Sequence, residues 1–286
     1  MEGKIVANLG LNYSVYGDGV SYTVSPRGVF RFQNIKPSVG DDIVFDDDTF
    51  SLTEIKTRKN ELIRPKAVNI DQIILVMSLK EPEISLELLY KYLTYILMNH
   101  IYPIVVFTKD DLLDETINIK KIQDDLTLVN ITSFLLGRND YKNLDNIKKL
   151  LTNKVTLFMG QSGVGKSSLI NLIDDSFERK IGSFSFSRGR GKHQTKEVIL
   201  LPYMGGFLGD TPGFSALDLN IYKEDLATYF PGFNTFNECY YSNCLHLKEK
   251  DCSIKKRLEG GQLSMDSYKI YMKLLSELPY RKERYR

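Results

Sequence analysis

Eight residues, Gly160-Gln161-Ser162-Gly163-Val164-Gly165-Lys166-Ser167, have the spacing G-x-x-x-x-G-K-[ST]. That spacing suits one task, the holding of a phosphate chain. The glycines admit backbone torsions that turn successive N–H groups into a single concavity. A helix opening at the lysine and running on through Ser168 adds the positive end of its dipole to the same place. Lys166 supplies a cation for the terminal phosphates, and the Ser167 hydroxyl a ligand for Mg²⁺.

Two further stretches fit the same ligand. "LGDTPGF" puts Asp210 at the end of an apolar run, where it can hold Mg²⁺ through water, and Gly213 where an N–H can meet a γ-phosphate. Between them "SRGRGKHQTKEV" is polar, basic and glycine-containing, a loop whose Thr195 can join the Mg²⁺ when the γ-phosphate is present. Taken alone, D-T-P-G is also good turn chemistry. "FTKDD", Phe107 to Asp111, lies upstream of the phosphate loop and has the form of a guanine reader, Thr108-Lys109-Asp110-Asp111. Guanine offers two parallel donors, N1–H and the 2-amino group, that the Asp111 carboxylate can accept together; adenine offers no such pair. Lys109 would lay its aliphatic stem along the base, and Thr108 would tie the loop to the phosphate site. Val129 to Thr132, in "LVNIT", is read as the strand-end loop closing over the base. A chance surface turn is the bland alternative for TKDD. The order along the chain is then base reader, base lid, phosphate loop, switch loop and DTPG, which is the usual GTPase order rotated.

All three cysteines and one of the three histidines fall in "CYYSNCLHLKEKDC", as Cys239-x4-Cys244-x-His246-x5-Cys252. Three thiolates and an imidazole make a closed tetrahedral shell for structural Zn²⁺, with no position left for catalysis. The plain alternative is a set of buried free thiols. An odd number of cysteines closes no disulfide framework.

The elements needed to position these groups are legible in the periodicity. Residues 1–60 alternate apolar and polar with Gly, Pro and Asp punctuation, as about five short strands that bury one face by curling into a small barrel. "TRKNELIRPKAVN" has no strong period and is expected to be a linker. From Asp71 the pattern changes. "DQIILVMSL" and "YPIVVF" read as buried strands, with a helix between them capped by Ser85 and carrying Leu86, Leu89, Leu93 and Leu97 at helical spacing. A helix near 115–127, a strand at "LTLVNI", a helix at "NLDNIKKLLTN" and a strand at "KVTLFMG" lead to the phosphate loop. "TKEVILLPY" and "GGFLGDTPG" supply two more strands, and beyond Gly213 the pattern is helical. Such alternation means a mostly parallel sheet covered on both sides.

Composition is that of a globular protein, 42% hydrophobic and 26% charged, with a net charge of +2. The balance is uneven: residues 1–60 carry 7 Lys/Arg against 8 Asp/Glu, and residues 254–286 carry 9 against 4. The basic tail suits phosphate backbones or a solvated helix face equally. "MEGKIVANLG" lacks the apolar core of a signal peptide, and "IILVM" is too short to span a bilayer, so a cytoplasmic protein is expected.

With the barrel, "RKNELIRPKAVNIDQ", "TKDD", "GQSGVGKSSLIN", "RGRGKHQT", "DTPGF" and the cysteine cluster, the chain resembles the RsgA family of ribosome small subunit-dependent GTPases. The resemblance implies a multidomain α/β protein: an OB-fold RNA-binding barrel over 1–62, a circularly permuted P-loop GTPase domain over 63–217, and a helical zinc-binding domain over 218–286. It implies GTP and GDP, Mg²⁺ and one structural Zn²⁺ as ligands. The small ribosomal subunit, with its rRNA and ribosomal proteins, is the implied partner, bound late in maturation and stimulating hydrolysis. No membrane is implied, and a monomer is expected. The position after D-x-x-G that often orients water is Phe214 here, so the family pattern passes the role to His193, whose alternative is an RNA contact. "HQT" stands where the family more often has "HTT", leaving Thr195 as the sole switch threonine of the triplet. Gly163 stands where potassium-dependent relatives carry Asn, and no catalytic K⁺ is expected. Arg27, Phe30, Arg31 and Phe32 of the barrel, with "RGRGK" (188–192), are candidate RNA contacts. Two other functions fit fewer of these features: a P-loop kinase or ATPase for a small molecule, and an RNA-binding assembly factor for which nucleotide is only a conformational ligand.

Overall fold

A computed structural model describes residues 1–26, 36–112, 117–137, 141–177, 198–211, 219–233 and 238–281. The expected barrel forms from β1 (Glu2–Asn8), β2 (Tyr13–Gly17), β3 (Val20–Pro26), β4 (Asp42–Phe45) and β5 (Ser51–Ile55), closed in the order β1-β2-β3-β5-β4. Only the β3–β5 pair is parallel. The alternation read in the sequence is a filled interior: Ile5, Val15, Val24, Ile43, Phe45 and Leu52 are all at most 1% exposed. Closure leaves no strand edge to template aggregation.

The segment expected to be a linker is instead packed. β6 (Glu61–Leu62) pairs with β7 (Ala67–Val68), and Leu62, Ala67 and Val68 are fully buried. Three of its polar residues, Arg58, Asn60 and Asn69, turn inward, while Thr57, Lys59, Glu61, Arg64 and Lys66 are exposed. Asn69 accepts from Lys59 N (2.9 Å) and donates to the Gly40 carbonyl (3.0 Å). Asn60 donates to the Ile70 carbonyl at 2.7 Å and accepts from Ile70 N at 2.9 Å. Arg58 grips the fully buried Asp41 with two bonds of 2.7 and 2.8 Å, and also donates to the Lys36 carbonyl at 2.9 Å. The exchange of solvent for such bonds is invisible in composition. Removing one partner of a buried pair strands a charge, so Arg58→Ala should destabilise the protein by about 3–5 kcal/mol in urea unfolding. Arg58→Lys should recover little of this, because an ammonium cannot make the two-pronged contact.

Packing divides the chain into two compact units, Met1–Ile74 with Asp140–Gly213, and Leu75–Asn139 with Phe214–Arg286. β8 (Gln72–Ser78), buried along its whole length, runs through both and belongs to a six-stranded sheet. The second unit carries β9 (Tyr102–Thr108) and β10 (Thr132–Leu136), a parallel pair. The first carries β11 (Val155–Met159), β12 (Ile199–Tyr203) and β13 (Gly206–Asp210); β11 and β13 are parallel, and β12 returns antiparallel at the sheet edge. Pro202 is tolerated in β12 because an edge strand has donors to spare.

Of the helices, α1 (Leu86–Met98) is capped by Ser85, whose side chain accepts from Leu88 N, as its sequence predicts. α2 (Ile119–Leu128) follows in the second unit, and α3 (Tyr141–Leu150) and α4 (Lys166–Ile173) belong to the first. The strand expected at "LTLVNI" is not there. Leu126–Leu128 complete α2, and Asn130, at φ 59°, turns the chain out of it, with Asn130 N on the Thr127 carbonyl and Ile131 N on the Leu126 carbonyl. This is a Schellman stop with Asn in the left-handed position. The strand begins at Thr132, directly after this run ends. α5 (Lys223–Tyr229), α6 (Ser253–Glu259) and α7 (Met265–Glu277) complete the second unit. There Tyr90 of α1 stacks on Phe230 at 5.1 Å, and Phe233 packs on Tyr271 of α7 at 4.7 Å. The basic tail spends much of its charge internally: Lys256, Lys269, Lys273 and Arg281 each pair with a carboxylate.

Candidate functional site

β11 is buried at every residue and delivers the chain into Gly160, from which the loop runs to the start of α4 at Lys166. Gly165 is the helix N-cap at φ 88°, a left-handed torsion that lets the chain enter the helix directly, with no side-chain cap above it. Val164, 1% exposed, pins the loop to the interior, while Ser162, Gly163, Ser167 and Ser168 are exposed and Gln161 is half-buried. Exposed loop residues thus stand over a hydrophobic anchor.

Lys166 is buried and doubly held. Its ammonium pairs with the Asp210 carboxylate and donates to the Thr211 carbonyl at 2.6 Å. Asp210 ends β13 opposite Phe158 of β11, so the sheet register itself sets carboxylate against loop. Thr211 is fully buried, and its N–H (3.2 Å) and hydroxyl (2.8 Å) both reach the Phe158 carbonyl. Gly213, His193, Thr195 and Phe214 lie outside the described residues, as do Arg27, Phe30, Arg31, Phe32 and residues 188–192.

In the second unit TKDD stands at the end of β9. Thr108 is buried, with its hydroxyl on the Met77 carbonyl at 3.4 Å. Lys109 takes a left-handed torsion, φ 60°, and its ammonium reaches the Glu81 carbonyl. Asp110–Leu112 form a 3-10 turn on which Asp111 is exposed. The expected base lid at Val129–Thr132 is misplaced: β10 runs parallel to β9 with Thr132 opposite Ile104 and Leu136 opposite Thr108. Val129–Ile131 thus precede the far end of the strand, at the stop of α2. The residue that follows β10 beside the motif is Gly137, where a Cβ would lie 2.8 Å from Asp110 Oδ2. Recognising Asn130 as a helix stop would have found it.

Cys239, Cys244, His246 and Cys252 converge, their ligand atoms all within 4.8 Å of one another. Cys239 Sγ lies 3.8 Å from Cys252 Sγ, and His246 Nδ1 lies 3.5 and 3.4 Å from the two sulfurs. Tetrahedral zinc–thiolate bonds of about 2.3 Å place sulfurs about 3.8 Å apart, so the donor set fits one zinc. His246 Nε2 meets the Ala227 carbonyl at 3.1 Å, an outer bond that leaves Nδ1 as the ligand. Burial holds the His246 imidazole neutral, its pKa below the usual value, and pushes the Cys244 thiol up to about 12 and the Cys252 thiol up as well. Three thiols and one imidazole gathered this closely form a donor set for one cation. α7 clamps the ligand loop: Tyr268 OH donates to the His246 carbonyl at 2.5 Å and Tyr271 OH to that of Leu245 at 2.7 Å.

Comparison with known proteins places this architecture. The RsgA N-terminal domain matches residues 2–52, and the RsgA GTPase domain residues 55–220. The small ribosomal subunit biogenesis GTPase RsgA 2 of Oceanobacillus iheyensis is 39% identical over 99% of both chains. The small ribosomal subunit biogenesis GTPase RsgA of Streptococcus pyogenes is 39% identical over 100% of this chain and 98% of its own. Among solved structures, YloQ, a circularly permuted GTPase, superposes with a TM-score of 0.79 at 35% identity, over 99% of this chain and 96% of its own. YjeQ from Thermotoga maritima gives 0.81 at 31% identity, over 98% and 99%. The chain belongs to the RsgA family of circularly permuted GTPases.

Proposed function

We propose that this GTPase acts on the small ribosomal subunit during its late maturation, hydrolysing GTP to GDP and phosphate under stimulation by the subunit. The observation that carries the reading is the pairing of a built phosphate loop, Lys166 seated against Asp210 and Thr211, with whole-length kinship to small-subunit biogenesis GTPases. Gly160 to Ser168 cradle the phosphates, with Lys166 on the terminal ones. Ser167 and Thr195 are ligands for Mg²⁺, Asp210 holds it through water, and Gly213 meets the γ-phosphate. When bound, the cation neutralises charge on the phosphate oxygens. Asp111 reads the guanine of the same nucleotide, with Thr108, Lys109 and Asp110 shaping that end. The position of each motif at the C-terminal end of a parallel strand supports this assignment. His193 positions the attacking water. Cys239, Cys244, His246 and Cys252 hold one structural zinc. The barrel over 1–62 and the region 218–286 flank the nucleotide domain at 63–217 and supply contacts to rRNA. No helix among the described residues is long and apolar enough to cross a membrane, and a cytoplasmic monomer is the form proposed.

The test is turnover of GTP and ATP with and without purified small subunits. GTP hydrolysis should rise sharply with subunits and ATP hydrolysis should not. Equal rates for both nucleotides would favour a P-loop ATPase, and an absent response to subunits would leave nucleotide as a conformational ligand. His193→Ala should keep GTP affinity and lose about 10²-fold or more of the stimulated rate, the scale of a lost acid–base or water-positioning group. Full stimulated turnover by that variant would remove the role.

A further inference from the structure

Lys166 and Asp210, two groups proposed to serve one nucleotide, are bonded to each other. The ammonium of Lys166 is buried, and its partners are the Asp210 carboxylate and the Thr211 carbonyl, 2.6 Å away. Thr211 is well placed to hold this arrangement. Its own N–H and hydroxyl reach the Phe158 carbonyl at 3.2 and 2.8 Å, two residues before the phosphate loop begins. Its carbonyl accepts from the residue that opens α4, just past the loop's end. One fully buried residue, through its backbone and its hydroxyl, thus spans both ends of the loop.

We infer that Asp210 competes with nucleotide phosphate for the Lys166 ammonium, and that Thr211 is the positioning residue that sustains the competition. The inference rests on the reading of Lys166 as a phosphate ligand. A buried ammonium keeps a partner wherever it goes, because an unpaired one is costly. For Lys166 to turn to a phosphate it must exchange Asp210 for it, and a carboxylate left beside phosphate oxygens repels them. Both costs vanish together when a divalent cation claims the carboxylate. Nucleotide and Mg²⁺ affinity are therefore coupled through one ion pair, and the coupling is reciprocal.

The experiment measures GDP affinity by calorimetry in EDTA and in Mg²⁺, on full-length protein carrying Asp210→Asn, Lys166→Met or both. Competition predicts that Asp210→Asn binds GDP about 10-fold tighter than the wild type in EDTA, within the usual 5–150-fold range of such couplings. It also predicts that the gain disappears on the Lys166→Met background. The same gain on that background would mean that Asp210 merely repels phosphate, and would overturn the inference; so would no gain at all. Unaltered affinity of Lys166→Met alone would instead remove the phosphate reading beneath it. A second readout needs no nucleotide: the rate at which a small amine-acylating reagent labels Lys166, followed by peptide mass spectrometry. Asp210→Asn and Thr211→Val should both speed labelling several-fold, with Thr211→Ser restoring protection. Unchanged labelling in both variants, with folding intact by near-UV circular dichroism, would dismiss the clasp.

Discussion

Asp111→Asn is expected to weaken GTP binding by about 10²–10⁴-fold and to make xanthosine triphosphate the better ligand. The expectation follows from matching donors to acceptors. A carboxylate accepts both guanine donors, N1–H and the 2-amino group. An Asn amide offers one acceptor and one donor, so its N–H₂ faces the 2-amino group and two donors collide. Hydrogen bonds to a charged group contribute about 1.5–3 kcal/mol each, and an unmatched polar group adds its own desolvation cost. Sites built to match such groups discriminate by about 10⁴–10⁵. Xanthine carries a carbonyl where guanine has the amino group, which restores a partner for each half of the amide. Because Asp111 is exposed on a 3-10 turn, the exchange should leave stability within about 0.5 kcal/mol. Competition binding with the triphosphates of guanosine, xanthosine and adenosine is the measurement. Undiminished affinity for GTP in the variant would take the base-reading role away from Asp111.

The phosphate-loop turn and the Cys/His cluster were legible because their geometry is local. Gly165 takes a left-handed torsion at the mouth of a helix, and the four Cys and His donors converge within one short loop. Neither requirement reaches far along the chain. Most of what was misread depends on partners elsewhere in the chain, the local helix stop at Asn130 apart. The polar stretch at 57–69 looked solvent-facing, yet Arg58 answers Asp41, and Asn69 answers Gly40. Val129 and Ile131 looked like strand residues, yet they are the buried end of a helix stop, with Val129 lying so close to Gly232 that a Cβ there would come within 2.5 Å of it. Excess charge in the tail looked available for rRNA, yet Lys273 reaches Glu87 of α1 at 2.5 Å. A one-dimensional pattern records which side chains are polar. It does not record which backbone or carboxylate elsewhere in the chain will consume them.

Removing zinc should unfold the ligand loop and loosen α7 while the surroundings of Lys166 in the phosphate loop are kept. Apparent zinc binding energies in small structural sites are about 10–16 kcal/mol, against a whole-domain stability of about 5–15 kcal/mol. Cys239 to Cys252 contain no helix or strand of their own; apart from the four donors, the stretch is held by turn bonds such as those of Leu245 N and Leu247 N to Glu249, and by the two tyrosines of α7. Tyr268 and Tyr271 report the event directly. Both donate to carbonyls of the ligand loop, those of His246 and Leu245, and both phenols are held above their ordinary pKa by burial. Titration with a strong chelator, or Cys252→Ser, should therefore collapse the near-UV tyrosine signal and bring these phenols back toward normal titration. The stacked Tyr90–Phe230 pair sits further from the ligands and should outlast the loop. Lys166 belongs to the other compact unit, so its rate of labelling by an amine-acylating reagent serves as an internal reference and should change by no more than about 5-fold, the low end of ordinary coupling between sites. Tyrosines that keep their signal after the metal is stripped would mean that aromatic packing, and not the ion, holds the loop.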